Sequence, residues 1–167
     1  MTIRRRIPLT GTWTVVNDGV MGGRSTSTVQ EDPTGTIVFA GDVSLENNGG
    51  FASVRLPIAE SDLSAFGGLR LRLRGDGNRY QIRLRTDDRF DGIAYSARFQ
   101  TTGDWETVEI PYAAFEPTFR GVRPRGAPPL DPSRIRQLGF LIADEQAGPF
   151  RLEVADLSAY VVNTAPH

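Results

Sequence analysis

The stretch "GLRLRLRGDGNRYQIRLRT" alternates apolar and polar side chains on both sides of a Gly-Asp-Gly-Asn break. Leu69, Leu71 and Leu73 interleave with Arg70, Arg72 and Arg74, and Tyr80, Ile82 and Leu84 interleave with Gln81, Arg83 and Arg85. Successive side chains of a strand point to opposite faces, so period two marks half-buried strands. A helix would repeat its apolar positions every three to four residues. Closed as a hairpin on the Gly75–Asn78 turn, the segment pairs Leu73 with Tyr80, Leu71 with Ile82 and Leu69 with Leu84. One face of that hairpin is apolar and the other strongly cationic.

The same alternation recurs at Trp13–Val16, Thr36–Val43, Phe51–Leu56, Ala94–Thr101, Thr107–Pro111, Leu138–Ile142 and Phe150–Leu157, punctuated by Gly, Pro, Asn and Asp clusters. Helix signals are confined to "AESDLSAF" and to "DPSRIRQ", where Pro132 suits a first helical position. The segment "FEPTFRGVRPRGAPPLDP" has too much Pro and Gly for a sheet interior. Many short antiparallel strands imply an all-β jelly-roll sandwich of about eight or nine strands. At 167 residues, with no internal repeat or linker, the chain reads as a single domain, 1–167.

Composition removes several classes of function. There is no Cys and one His, the terminal His167, so thiol chemistry, zinc-thiolate sites and most histidine-based catalysis have no residues to use. No P-loop, nucleophile elbow or HExxH motif occurs, and no carboxylate pair is singled out by a motif. The expectation is a protein that is not an enzyme. Net charge is −1, which argues against nucleic acid as a partner. The opening "MTIRRRIPLTGTW" has a basic cluster without a following apolar run, and no apolar stretch is long enough to span a bilayer. A cytoplasmic protein is expected.

Two Gly- and Asn-rich stretches, "VNDGVMGGRS" and "ENNGGFASVR", each lie between predicted strands. They are followed by "RGDGNRYQIRLRT", "YSARFQTTGDWETVEIPYAAF", "FEPTFRG" and "IRQLGFLIADEQAGPFRLEV". From about Trp13 to about Tyr160 this ordered set resembles the complex I intermediate-associated protein 30 family, as a stand-alone bacterial-type member. The resemblance implies a galactose-binding-domain-like jelly roll. It also implies a non-enzymatic, assembly-factor-like protein that captures a protein client, with respiratory-complex subunits among the candidates. Some relatives carry a nucleotide-binding domain, but no strand–GxGxxG–helix unit is present here. The alternative on the same fold is a carbohydrate-binding module using the concave sheet face, with a sugar as ligand.

Candidate binding residues follow from these motifs. In the two loops they are Asn17, Asp18, Met21, Glu46, Asn47 and Asn48. These form either an interlocked pair of turns at one end of the sandwich or a recognition surface with Met21 as an adaptable contact. Phe119 and Arg120 in "EPTFRG" either pin a long loop or form a contact hot spot. Arg70, Arg72, Arg83 and Arg85 form the cationic face. In the hairpin register Arg74 would oppose Arg79 and Arg70 would oppose Arg83, which disfavours pairing unless Glu106, Glu109 or Glu153 intervenes. Otherwise the face is a patch for an acidic or anionic partner, or the register is different. Trp13, Tyr80, Tyr95, Trp105, Tyr112 and Tyr160 are either core-edge aromatics or a sugar platform. No cofactor is expected. Asp87, Asp88, Asp91 and Asp156 are candidate ligands for a structural calcium or, as the plainer reading, solvated turn carboxylates.

Overall fold

A computed structural model describes residues 2–9, 11–17, 23–46, 50–87, 92–119 and 122–162. Two antiparallel sheets built from twelve strands enclose one apolar core. The strands are β1 (Thr2–Arg6), β2 (Thr14–Val15), β3 (Thr26–Glu31), β4 (Ile37–Val43), β5 (Ala52–Ser61) and β6 (Gly68–Arg74). They continue with β7 (Arg79–Arg85), β8 (Ala94–Gln100), β9 (Trp105–Pro111), β10 (Glu116–Thr118), β11 (Ile135–Ile142) and β12 (Gly148–Val162). The first sheet runs β3-β4-β12-β6-β9, with β1 also on β12; the second runs β10-β8-β7-β11-β5-β2. This is the all-β sandwich that the alternation predicts, with more strands than eight or nine. The additional ones, β1, β3 and β10, are short or polar and so carry little apolar periodicity.

Alternation works on both sheets. Leu69, Leu71 and Leu73 are fully buried from the first sheet, and Tyr80, Ile82 and Leu84 meet them from the second. Phe39 packs edge-on to Phe150 at 4.9 Å between ring centroids. Burial of such side chains is worth roughly 1.5–3 kcal/mol each before conformational entropy is counted.

The hairpin expectation fails. β6 pairs with β9 and β12, and β7 pairs with β8 and β11, so the Gly75–Asn78 link carries the chain from one sheet to the other. Asp76 holds this arch: its carboxylate accepts from Asn78 N at 3.1 Å, Tyr80 Oη at 2.9 Å and Arg151 N of β12 at 2.7 Å. Gly75 has no room for a side chain, since a Cβ there would lie 2.2 Å from Thr101 Cβ. Both geometries bury the same residues, so alternation cannot separate them; the opposed charges can. In the observed pairing Arg70 faces Glu109 and Arg74 faces Glu153, where a hairpin would set Arg against Arg.

The two helix signals end as tight turns. "DPSRIRQ" gives a 3₁₀ turn at Pro132–Arg134 capped by Asp131, which accepts from Ser133 N at 3.0 Å. "AESDLSAF" continues β5 through Ser61 and then turns, with Asp62 accepting from Ser64 N at 2.9 Å. Pro117 sits in the edge strand β10, where the missing N–H is tolerated.

Candidate functional site

Alternation that buries Tyr80, Ile82 and Leu84 turns Gln81, Arg83 and Arg85 to the outer face of the second sheet. Register then assembles a row across five strands: Ser96 of β8, Arg83 of β7, Gly139 of β11, Arg55 of β5 and Thr14 of β2. One row along stand Arg98, Gln81, Leu141 and Ser53; on the other side lie Arg85, Gln137 and Pro57. Apart from Gly139, Leu141 and Pro57 these positions are polar, and none of them is aromatic.

Arg83 is the unusual group on this face. Its Nε is buried without a hydrogen-bond partner. Burial, reinforced by the like charge of Arg55, pushes its pKa down to about 10. The neighbours are committed elsewhere. Arg85 donates to Gly92 O at 2.8 Å, and Gln137 Nε2 donates to Asp87 O at 2.9 Å. Arg98 grips both oxygens of Asp144 at 3.0 and 3.2 Å, and this contact is the main reason the Asp144 carboxyl is held low.

The four arginines proposed as one cationic face are divided by the topology. Arg70 and Arg72 point outward from the first sheet, Arg83 and Arg85 from the second. The first-sheet arginines meet internal partners. Arg70 Nη2 donates to Glu109 at 2.8 Å and its guanidinium lies 5.3 Å from the Tyr160 ring centroid. Arg74 Nε donates to Glu153 at 2.5 Å, and Arg72 and Arg74 both cover Trp105. Glu106 accepts from Thr102 in its own turn.

The flanks of the two Gly-rich loops do meet. Asn17 Oδ1 accepts from Ser27 Oγ at 2.8 Å and from Ser53 N at 3.3 Å, and the Ser53 hydroxyl donates to Val16 O. Arg24 and Glu46 form an exposed ion pair at 3.5 Å across the same junction. Asp18, Met21, Asn47 and Asn48 lie outside the described residues, as does Arg120. Phe119 is partly exposed and bridges to exposed Val122, forming a tip beside the edge strand β10.

The aromatics divide in the same way. Tyr80 is in the core, Trp13 stacks on Phe140 at 6.3 Å, Tyr95 donates to Pro128 O, and Tyr112 donates to Leu63 O. Trp105 and Tyr160 lie on the first sheet beneath arginines. Of the calcium candidates, Asp156 pairs with Arg6 at 3.2 Å, while Asp88 and Asp91 lie outside the described residues. Among the described residues no three His, Cys, Asp or Glu side chains gather as a metal site.

Sequence reasoning did not single out Arg55, Ser53, Ser96, Gln81, Gln137 or Gly139. One signal was available: Gly139 interrupts the apolar run "LGFLI", and an isolated strand glycine marks close backbone approach. A Cβ at Gly139 would lie 2.4 Å from Val54 O.

Comparison with known proteins agrees with this fold. The solved structure of a family 11 carbohydrate-binding module from Clostridium thermocellum superposes with a TM-score of 0.69 at 16% identity, covering 96% of this chain and 98% of that one. A family 30 carbohydrate-binding module superposes with a TM-score of 0.59 at 19% identity, covering 98% and 99%. The fold is thus a jelly roll of the galactose-binding-domain kind. Among curated proteins, the mitochondrial complex I intermediate-associated protein 30 of Drosophila melanogaster is 30% identical over 85% of this chain and 56% of its own length. The mouse protein of that name is 29% identical over 85% and 50%. The chain therefore spans about half the length of these curated relatives. With residues 6–154 also matching the family described as Complex I intermediate-associated protein 30, the chain belongs to that family.

Proposed function

We propose that this chain is a non-catalytic protein-binding module that captures a client through the outer face of its second sheet, as an assembly factor would. The relatives are named for association with complex I intermediates, and a respiratory-complex subunit is the corresponding client class. One observation carries the choice of face: Arg83 has a buried, unpartnered Nε and no carboxylate partner, whereas on the opposite face Arg70, whose Nε is likewise buried and unpartnered, and Arg74 already hold carboxylates. A polar group buried without a partner is costly, and a docked partner removes that cost. The Phe119–Val122 tip beside β10 and the junction of the two Gly-rich loops extend the same surface.

Sugar binding is the second reading, drawn from the fold of the two carbohydrate-binding modules. It is the weaker one, because stacking aromatics are missing from the outward strand positions named above, and the exposed Trp105 lies on the other sheet.

Site-specific photo-crosslinking in the cells of origin tests the proposal. A crosslinker at Gln137 is expected to trap a discrete protein, and one at Thr107 on the opposite face is not. Equal labelling from both faces, or protection of Gln137 by a soluble oligosaccharide, would overturn it. No helix among the described residues is long and apolar enough to cross a membrane, so an extract made without detergent is the starting material.

A further inference from the structure

We propose that the cleft beside β12, where this strand leaves β4 and takes up β1, binds an extended, uncharged peptide segment and receives one large apolar side chain from it. The cleft belongs to the first sheet and stands or falls apart from the second-sheet face described above.

β12 is fifteen residues long and has two successive partners on the side away from β6. β4 pairs with its residues Gly148–Val154 and β1 with Ser158–Val162. Neither ladder covers Ala155–Leu157, where Ile7 N bonds Leu157 O at 2.8 Å as the chain leaves β1. Ala155 is also the extra residue of a bulge, since the register against β6 slips between Val154 and Asp156. A bulge bends its strand and interrupts the pairing. The break in the sheet opens as a cleft of about 290 Å³.

That volume is near the lower end of small-ligand clefts, roughly 300–1,000 Å³, and an engineered apolar cavity of roughly 150 Å³ already admits benzene. One aromatic side chain with its main chain therefore fits. The buried side chains of Ile7, Leu9 and Leu157 make an apolar floor, with the exposed Pro8 and half-buried Ala155 nearer the mouth. Gly35 borders the cleft from the β3–β4 turn, and a Cβ built there would meet nothing within 4 Å, so that side is open. The polar lining is one ion pair: Arg6 Nε stands 3.2 Å from Asp156 Oδ1, which accepts no hydrogen bond. The pair is neutral as a unit, so a charged ligand has no counter-ion to gain. Arg6 is 79% exposed and keeps donors to spare, while Asp156 keeps accepting capacity. A peptide group carries both complements, a carbonyl for the guanidinium and an N–H for the carboxylate. An extended main chain also suits a stretch of strand that no ladder covers. A plain hydrocarbon would fill the floor and leave those polar groups unmet.

The test is a titration of the full chain carrying ¹³C-labelled Ile and Leu methyl groups, with the Ile7 signal assigned by its disappearance in Ile7→Val. The probes are the capped peptide acetyl-Thr-Phe-Thr-amide, its Ala counterpart and toluene. Saturable shifts are expected at the Ile7, Leu9 and Leu157 methyls with the Phe peptide, while Ile82 in the second sheet stays in place. The Kd is expected to lie at least about tenfold below that for the Ala peptide, the worth of burying one large apolar side chain. Ala155→Phe fills the cleft from within and is expected to abolish the shifts. Pro8→Glu leaves the buried floor untouched, sets a charge at the mouth, and is expected to weaken the Phe peptide about tenfold or more even if Ala155→Phe fails to fold. No shift at the three methyls, an equal response to the Ala peptide, or full affinity in Pro8→Glu would overturn the proposal. Toluene acting at lower concentration than the Phe peptide would overturn it too, because the cleft would then be a simple apolar cavity indifferent to main chain.

Discussion

Arg74 donates its Nε–H to one oxygen of Glu153 at 2.5 Å across β6 and β12, while the other oxygen of the same carboxylate accepts from Arg151 Nη2 at 3.3 Å. One buried acid thus serves two cations, and this part of the first sheet's outer face is neutralised from within. The Glu153 carboxyl is held below its ordinary value of 4.5, first by the Arg74 hydrogen bond and further by Arg151. Its folded-state pKa therefore lies below the unfolded one. The stabilisation is complete above about pH 4.5 and is lost as pH falls through the lowered value. Glu153→Gln is expected to lower Tm by about 2–6 °C at pH 7, with the difference from wild type shrinking toward pH 3. Parallel thermal melts across that range check it.

The sheet assignment has a covalent test, favoured by the absence of native Cys. Arg72 pairs with Thr107 between β6 and β9. Facing residues of adjacent antiparallel strands lie about 4.5–5.5 Å apart at Cα, within disulfide reach. The double variant Arg72→Cys with Thr107→Cys is expected to oxidise to an intramolecular disulfide. Arg72→Cys with Gln81→Cys, facing partners in the hairpin, is expected to remain reduced because the two positions lie on outer faces of opposite sheets. Thiol titration after mild oxidation reads both.

Asp76 ties the β6–β7 arch to Tyr80 and to β12. Asp76→Ala leaves several donors without their acceptor and is expected to cost about 2–4 kcal/mol, whereas Tyr80→Phe removes one hydrogen bond and is expected to cost about 1 kcal/mol. The double variant is expected to cost less than the sum, because both changes remove the same contact. Urea unfolding midpoints at constant m-value measure all three.

What was legible in the sequence follows from which physical rule each feature obeys. Leu69, Leu71 and Leu73 announce a buried face because side-chain period depends on the strand alone. Which strand lies next to which depends on the whole chain, and Tyr80 satisfies the same burial from the opposite sheet as it would in a hairpin. The arginine repulsion was the one readable warning, since Arg70 and Arg74 find acids only if β6 pairs with β9 and β12. The row on the outer face of the second sheet was harder to foresee. Arg55, Arg83 and Gly139 come from three separate segments, and nothing local to any of them signals that register brings them into one row. The Gly-rich loops were conspicuous for backbone reasons, and their described flanks, Val16, Asn17 and Ser53, are held together by hydrogen bonds.

The most direct test of the central claim is the thermal stability of Arg83→Met in the free protein. Met retains the apolar stem and removes the charge. If Arg83 is a buried cation held ready for a partner, the variant melts higher than wild type, by about 2–8 °C. A lower Tm would mean that the guanidinium already has a stabilising role inside the fold, which contradicts the account.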